Sequence, residues 1–199
     1  SITLTADHGN RHYGIPSAGA GATVDNSGNN SSAAILVLDD HVTIEWLEIL
    51  SPVAPSMGID VGGQLSADNL VTLRNLIVHD TASHGINLQW PGLSASVSNN
   101  FVFDAGGDGI RHDPTPGLQA GRYVHVLNNT VWNAGVNAVG VTMGASALLL
   151  RNNIAARDNG AAGFGVGAIS AASSNNYASD GTGVIASPRF RNSCRSLNC

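Results

Sequence analysis

Apolar residues recur two apart in short bursts along most of the chain, as in Val71/Leu73, Val124/Val126 and Leu148/Leu150. A period of two turns one side of each burst toward a core and predicts strands, not helices. The bursts also resemble one another. Aligning residues 42–50, 71–80, 95–104, 124–133, 148–158 and 172–180 sets Trp46, Asn75, Asn99, Asn128, Asn152 and Asn175 in one column, at spacings of 29, 24, 29, 24 and 23. Ten to twelve residues later comes a second column: Gly58-Ile-Asp-Val61, Gly85-Ile-Asn-Leu88, Gly109-Ile-Arg-His112, Ala138-Val-Gly-Val141 and Gly163-Phe-Gly-Val166. Each repeat therefore carries at least two short strands and two or three turns.

A unit of about 25 residues cannot bury its apolar side alone, but stacking successive units as parallel strands about 4.8 Å apart makes one continuous interior. The pattern predicts an all-β solenoid of about six to seven coils in a single domain. Residues 1–32 read as an N-terminal cap and partial coil, 33–185 as the stacked coils and 186–199 as a C-terminal cap. A leucine-rich repeat has a similar period, yet it needs a leucine framework and a helical return that these Gly/Ser/Asn returns lack. The doubled asparagines at 99–100, 128–129, 152–153 and 175–176 each lie between two apolar bursts. A tight turn there needs a residue that tolerates the left-handed region, and a stacked amide can bond the equivalent turns above and below. One Asn of each pair is expected to point inward as a rung of a ladder.

Composition narrows the function classes. The 199 residues are 43% hydrophobic, enough for a core, while 24 glycines and 5% aromatics disfavour a helical bundle. The nine basic residues are all arginine, scattered singly, and the formal net charge is −5. No basic stripe is present to follow a phosphate backbone, which argues against nucleic acid as partner. No run of about 18 apolar residues occurs, so no membrane-spanning helix is expected. The chain opens on an alternating segment, Ser1 to Thr5, without an initiator methionine, so the natural start is expected to lie upstream or to have been removed. The two cysteines, Cys194 and Cys199, have four residues between them and are expected to close a disulfide in an oxidising, extracellular compartment.

The coil period, the Asn-Asn turn and the Gly-Ile-x-Val strand together resemble the right-handed parallel β-helix superfamily, the pectate-lyase-like fold, over roughly residues 33–190. That superfamily holds polysaccharide lyases, pectinolytic hydrolases, tailspikes, adhesins and non-catalytic surface modules, so fold alone does not choose among them. The resemblance implies that the asparagine ladder sits in the turn between that family's second and third sheets and that the Gly-Ile-x-Val strands, which come next, form the sheet bearing the substrate groove.

On those strands, alternation sends Ile59, Ile86 and Ile110 inward and Asp60, Asn87 and Arg111 outward. The preceding turns add a column of His84, Asp108 and Asn137, and a further column holds Asp80, Asp104 and Asn133. His112 and Asp113 follow Arg111 and open the loop 112–121, which could wall a groove. A lyase acting on a uronic-acid polymer must neutralise the sugar carboxylate and remove the neighbouring proton with a positioned base. The expected catalytic set is Arg111, His84, Asp108 and His112, with Asp60, Asn87 and Asp113 binding substrate. Asp80 and Asp104, with Asp60 and Asp108, could supply hard oxygen ligands to Ca²⁺. A hydrolase would instead use a carboxylate pair such as Asp60 and Asp108. The bland alternatives are a cross-strand ion pair, Asp60/Arg111 or Glu45/Arg74, and a packed ring stack of His79, Phe103 and Trp132. Two functions are carried forward. One is a secreted or cell-surface protein that binds or degrades a glycan. The other is a non-catalytic surface, adhesin or filament-building module capable of end-to-end or side-to-side self-association.

Overall fold

The computed structural model describes residues 1–16, 21–29, 31–62, 69–89, 92–113, 120–137, 139–141, 148–156, 163–165 and 170–179. Cys194, Cys199 and the proposed C-terminal cap lie outside the described residues.

Three strands make each turn of a solenoid. A first, looser turn is β1 (Ile2–Thr5), β2 (Ala22–Asp25) and β3 (Ala33–Val37). Five regular turns follow: β4 (Val42–Glu45), β5 (Leu47–Ser51) and β6 (Met57–Val61); β7 (Val71–Arg74), β8 (Ile77–Thr81) and β9 (Ile86–Leu88); β10 (Ala95–Ser98), β11 (Phe101–Ala105) and β12 (Ile110–His112); β13 (Val124–Leu127), β14 (Thr130–Trp132) and β15 (Val139–Val141); β16 (Leu148–Arg151), β17 (Ile154–Ala156) and β18 (Phe164–Gly165). A last short strand, β19 (Tyr177–Ala178), pairs with β17. All ladders are parallel, and strands three apart in the chain pair into sheets of six, seven and six. Among the described residues the regular turns number five where six to seven coils were expected, and stacking begins at Ile2, since β1 and β2 already pair with β4 and β5.

The inward positions form columns along the axis. Ile59, Ile86 and Ile110 are fully buried in the third sheet, as are Leu73 and Val97 in the first and Val78 and Val102 in the second. Each such column is a parallel row of β-branched or leucine side chains, which fit a pleated surface and one another. Gly58 and Gly85 are required where the third strand enters. A Cβ on Gly58 would stand 2.5 Å from Val78 Cγ1 and 2.6 Å from the Gly85 carbonyl, and Gly85 meets the same contacts one turn on. Close backbone approach, not a special dihedral, selects glycine there.

The doubled asparagines divide their work. The first of each pair, with Asn75 and Trp46 earlier in the column, takes a left-handed backbone: φ is 56° at Asn99 and Asn128, 55° at Asn152 and 58° at Asn175. This residue bends the chain from the first sheet to the second and stays exposed. The second points inward. Asn100, Asn129, Asn153 and Asn176 are 1–2% exposed. Asn129 Nδ2 donates to the Val97 carbonyl at 2.9 Å and to Asn153 Oδ1 at 3.0 Å, while its Oδ1 accepts from Asn100 N and Nδ2, both at 3.0 Å. Asn153 repeats the pattern with Asn176, and the first rung reaches Leu76 N from Asn100 Oδ1 at 3.0 Å. In the two earlier turns the ladder position is taken by Leu47 and Leu76, which are buried apolar residues with no amide to satisfy. Along the same corner, His12 Nε2 bonds the Asn75 carbonyl at 2.8 Å and the Arg11 guanidinium lies 4.9 Å from the centre of the Trp46 ring, so the segment after β1 packs against the flank of the solenoid.

Replacing Asn129 with Leu strips donors and acceptors from buried partners on both neighbouring turns and is expected to destabilise by about 1–3 kcal/mol. Asn128→Gly, which keeps the left-handed corner, is expected to change stability by less than about 1 kcal/mol. Chemical denaturation of the two variants measures both, and equal losses would contradict the division of labour within the pair.

Candidate functional site

The third strand of each turn delivers one outward residue between two inward ones, so Asp60, Asn87 and Arg111 stand in register on β6, β9 and β12. The following turns place Gly140 and Gly165 in that row. Polar side chains are therefore confined to three successive turns. They lie outside the apolar core, yet the row is not an open groove: Asp60 is 6% and Asn87 3% exposed. Asn87 Nδ2 donates to Asp60 Oδ1 at 2.9 Å, and Gln89 Nε2 reaches both Asp60 oxygens at 2.8 and 2.9 Å. Sequence reasoning missed Gln89, which sits one residue beyond the strand and closes over Asp60.

Arg111 does not pair with Asp60. Its Nη2 donates to Asp113 Oδ2 at 2.6 Å and its Nη1 to His84 Nε2 at 2.7 Å, while its Nε is buried without a hydrogen-bond partner. His84 Nδ1 receives the backbone N–H of Asp108 at 2.9 Å, and Asp108 Oδ2 lies 3.6 Å away. Both ring nitrogens of His84 thus face donors, and a neutral imidazole accepts at only one. The ring carries its proton at the other nitrogen, so the two contacts compete. Burial, and then the positive charge of Arg111, hold the His84 pKa below its ordinary value of 6.5, so the ring is neutral at neutral pH. Asp108 is 7% exposed, and its Oδ1 accepts from Asn137 N at 3.0 Å and Nδ2 at 2.7 Å. The structure brings His84, Asp108, Arg111 and Asp113 together, with Asp60 and Asn87 beside them.

His112 does not join them. Alternation places it inward, in the row of Val61 and Leu88. It is 1% exposed, neither ring nitrogen has a partner, and burial lowers its pKa to about 4. The sequence reading, which grouped it with the loop opening at Asp113, is corrected here: a side chain on the core side of β12 cannot reach a ligand outside the sheet. Most of the 112–121 loop, residues 114–119, lies outside the described residues.

Asp80 and Asp104 are not neighbours of this cluster. They form the second corner, with left-handed φ of 47° and 50°, continued by Asn133 at 50°. Asp104 Oδ1 accepts from Asn133 Nδ2 at 2.6 Å, and Asp80 Oδ2 meets His79 Nδ1 at 2.8 Å. Among the described residues no group of three or more His, Cys, Asp or Glu side chains could hold a metal. The four aspartates are split between two places, so they do not fit one calcium ion and no step is assigned to it. Of the bland pairings, Glu45 and Arg74 form an ion pair at 2.7 Å, and His79 stacks on Phe103 with centroids 4.8 Å apart and planes 1° apart.

Among the described residues no helix is long and apolar enough to cross a membrane. The family described as right handed beta helix region matches residues 8–182, well over half of the chain, and the chain belongs to that family. No curated protein and no solved structure matches it.

The buried imidazole of His112 makes a signed prediction. Its folded pKa near 4 lies below the ordinary 6.5, so only the unfolded chain takes up its proton between those values. Stability is present above about pH 6.5 and is lost as pH falls toward 4, by at most about 3 kcal/mol from this residue. His112→Leu, matching Leu88 in the row, is expected to raise the melting temperature and to flatten that acid limb. Thermal melts of both proteins from pH 7 to 4 check it; an unchanged limb would contradict the placement.

Proposed function

We propose that this right-handed β-helix protein binds an acidic polysaccharide along the outer side of its third sheet and cleaves it by β-elimination at Arg111 and His84. The observation that carries this reading is the 2.7 Å contact between Arg111 Nη1 and the accepting Nε2 of a neutral His84, a ring already facing a second donor. A guanidinium matches a carboxylate with two parallel N–H groups, so a uronate competes well for Arg111. Once Arg111 turns to the sugar carboxylate, the His84 Nε2 lone pair is free. It takes the proton from the carbon beside that carboxylate; the C–H electrons form a carbon–carbon double bond as the glycosidic C–O bond on the next carbon breaks, and the departing oxygen takes a proton from water. With Nε2 as the base the ring's one proton sits on Nδ1, 3.6 Å from the Asp108 carboxylate, and Asp60 is reserved by Asn87 and Gln89. The reading places the protein outside the cell or at its surface, where such polymers are found.

A non-catalytic surface, adhesin or filament module is the second reading. What favours it is that Asp60, Asn87 and Asp108 are nearly buried and bond one another or neighbouring amides.

Incubation with a panel of acidic and neutral polysaccharides, followed at the ultraviolet absorbance of unsaturated products and by reducing ends, separates the two. Wild type is expected to release unsaturated products from a polyuronate. Arg111→Ala is expected to abolish this with a melting temperature within about 2 °C of wild type, since a partly exposed ion pair contributes about 0–1 kcal/mol. Because the His84 pKa is lowered, turnover is expected to persist below pH 6.5 and to fall only as the ring is protonated in more acid solution. Full activity in Arg111→Ala, or no product from any polyuronate, would move the assignment to the non-catalytic module.

A further inference from the structure

The second sheet turns a different face outward. Registers between β8, β11, β14, β17 and β19 put Phe101, Thr130, Ile154 and Tyr177 in one outward row, which the buried Ile77 begins at 1% exposure, and His79, Phe103, Trp132 and Ala156 in the next. Trp132 is 40%, Ile154 42% and Tyr177 45% exposed, with Phe101 and Phe103 half-buried beside them. The rings of Phe101 and Phe103 lie 4.9 Å apart, and Phe103 is backed by the parallel imidazole of His79. That imidazole is itself anchored through Nε2 to Glu48 Oε1 at 2.9 Å, so the aromatic floor is held from beneath its N-terminal end.

Polar rails run along both margins of this floor. Entering the sheet are the exposed corner asparagines Asn99, Asn128, Asn152 and Asn175; leaving it are Asp80, Asp104 and Asn133. Each rail repeats once per turn, about 4.8 Å. A floor of flat rings between regularly spaced amides and carboxylates matches a chain of sugar rings, whose C–H faces pack on aromatic surfaces while equatorial hydroxyls point sideways to hydrogen-bonding groups. Protein interfaces of this kind carry a charge-poor core with arginine among the aromatics, and no arginine lies in these two rows. Among the described residues the charged groups on the rails are the carboxylates of Asp80 and Asp104, which repel polyuronates and accept from hydroxyls.

We infer that the outer side of the second sheet is a binding platform for a neutral polysaccharide, with Trp132 and Phe103 as its stacking floor. It is separate from the Arg111 cluster on the third sheet and does not depend on any reaction there.

Retention on cellulose, chitin and xylan, in parallel with polygalacturonate, tests the platform. Wild type is expected to be retained on at least one neutral polymer. Trp132→Ala is expected to weaken that retention about tenfold, and Trp132→Phe, which keeps a ring, to restore most of it. Arg111→Ala is expected to leave it unchanged, so failure of the third-sheet reading and failure of this one are told apart. Melting temperature and sedimentation are recorded for each protein. Wild-type-like retention by Trp132→Ala, no retention of wild type on any neutral polymer, or a Trp132-dependent self-association in place of glycan binding would each overturn the inference.

Discussion

Everything in this molecule depends on each turn of chain lying over the last in the same register, and the buried amides at the first corner impose that register. A carboxamide inside an apolar stack is tolerated only if its donors and acceptor are all met. For Asn100, Asn129 and Asn153 the partners lie on the turns before and after, so a slip by one residue would strand several polar groups at once. The apolar columns supply most of the driving force for collapse, but rows of valine, leucine and isoleucine are similar enough to slide past one another. The ladder removes that freedom from β10 onward. In the two earlier turns Leu47 and Leu76 stand in its place, and there the corner is supported from outside by His12 and Arg11.

Regular stacking is also what makes outward columns into surfaces. Because equivalent positions recur once per turn, any residue type repeated in the sequence becomes a stripe, and each sheet wears its own. On the third sheet the stripe is polar over three turns and then gives way to glycine, concentrating charge around Arg111 and His84. On the second sheet it is aromatic and bordered by corner residues whose left-handed backbone turns their side chains to the margins. One backbone geometry thus produces a polar, charged cluster and an aromatic row on adjacent sides.

Much of this was legible in the sequence because it follows from period and repetition. The fold class, the asparagine column and the inward isoleucines of the third sheet needed only alternation and spacing. The third strand per turn was harder to see, because β4 and β5 read as one burst, 42–50, until the left-handed bend at Trp46 separates them. The site was half legible. Alternation brought Asp60, Asn87 and Arg111 into one row, but which neighbour satisfies which depends on side-chain reach. Arg111 turns to His84 and Asp113 and not to Asp60, because Gln89 and Asn87 already hold that carboxylate. His112 was misread for a simpler reason: the strand continues through it, so the alternation that sends Arg111 outward sends His112 into the core. The aromatic floor left a signal in the shared column of His79, Phe103 and Trp132, which looked like packing; the exposure of Trp132 is a property of three dimensions that no spacing reveals.

The claim that inward amides fix the register of the turns is tested most directly by side-chain amide hydrogen exchange, followed by nuclear magnetic resonance in heavy water. The NH₂ groups of Asn100, Asn129, Asn153 and Asn176 are expected to exchange slowly, on the timescale of the protected backbone amides of β10 and β13, while those of Asn99, Asn128, Asn152 and Asn175 exchange quickly. Equal, rapid exchange of both sets would show that the inward amides are not locked between turns and would contradict the account.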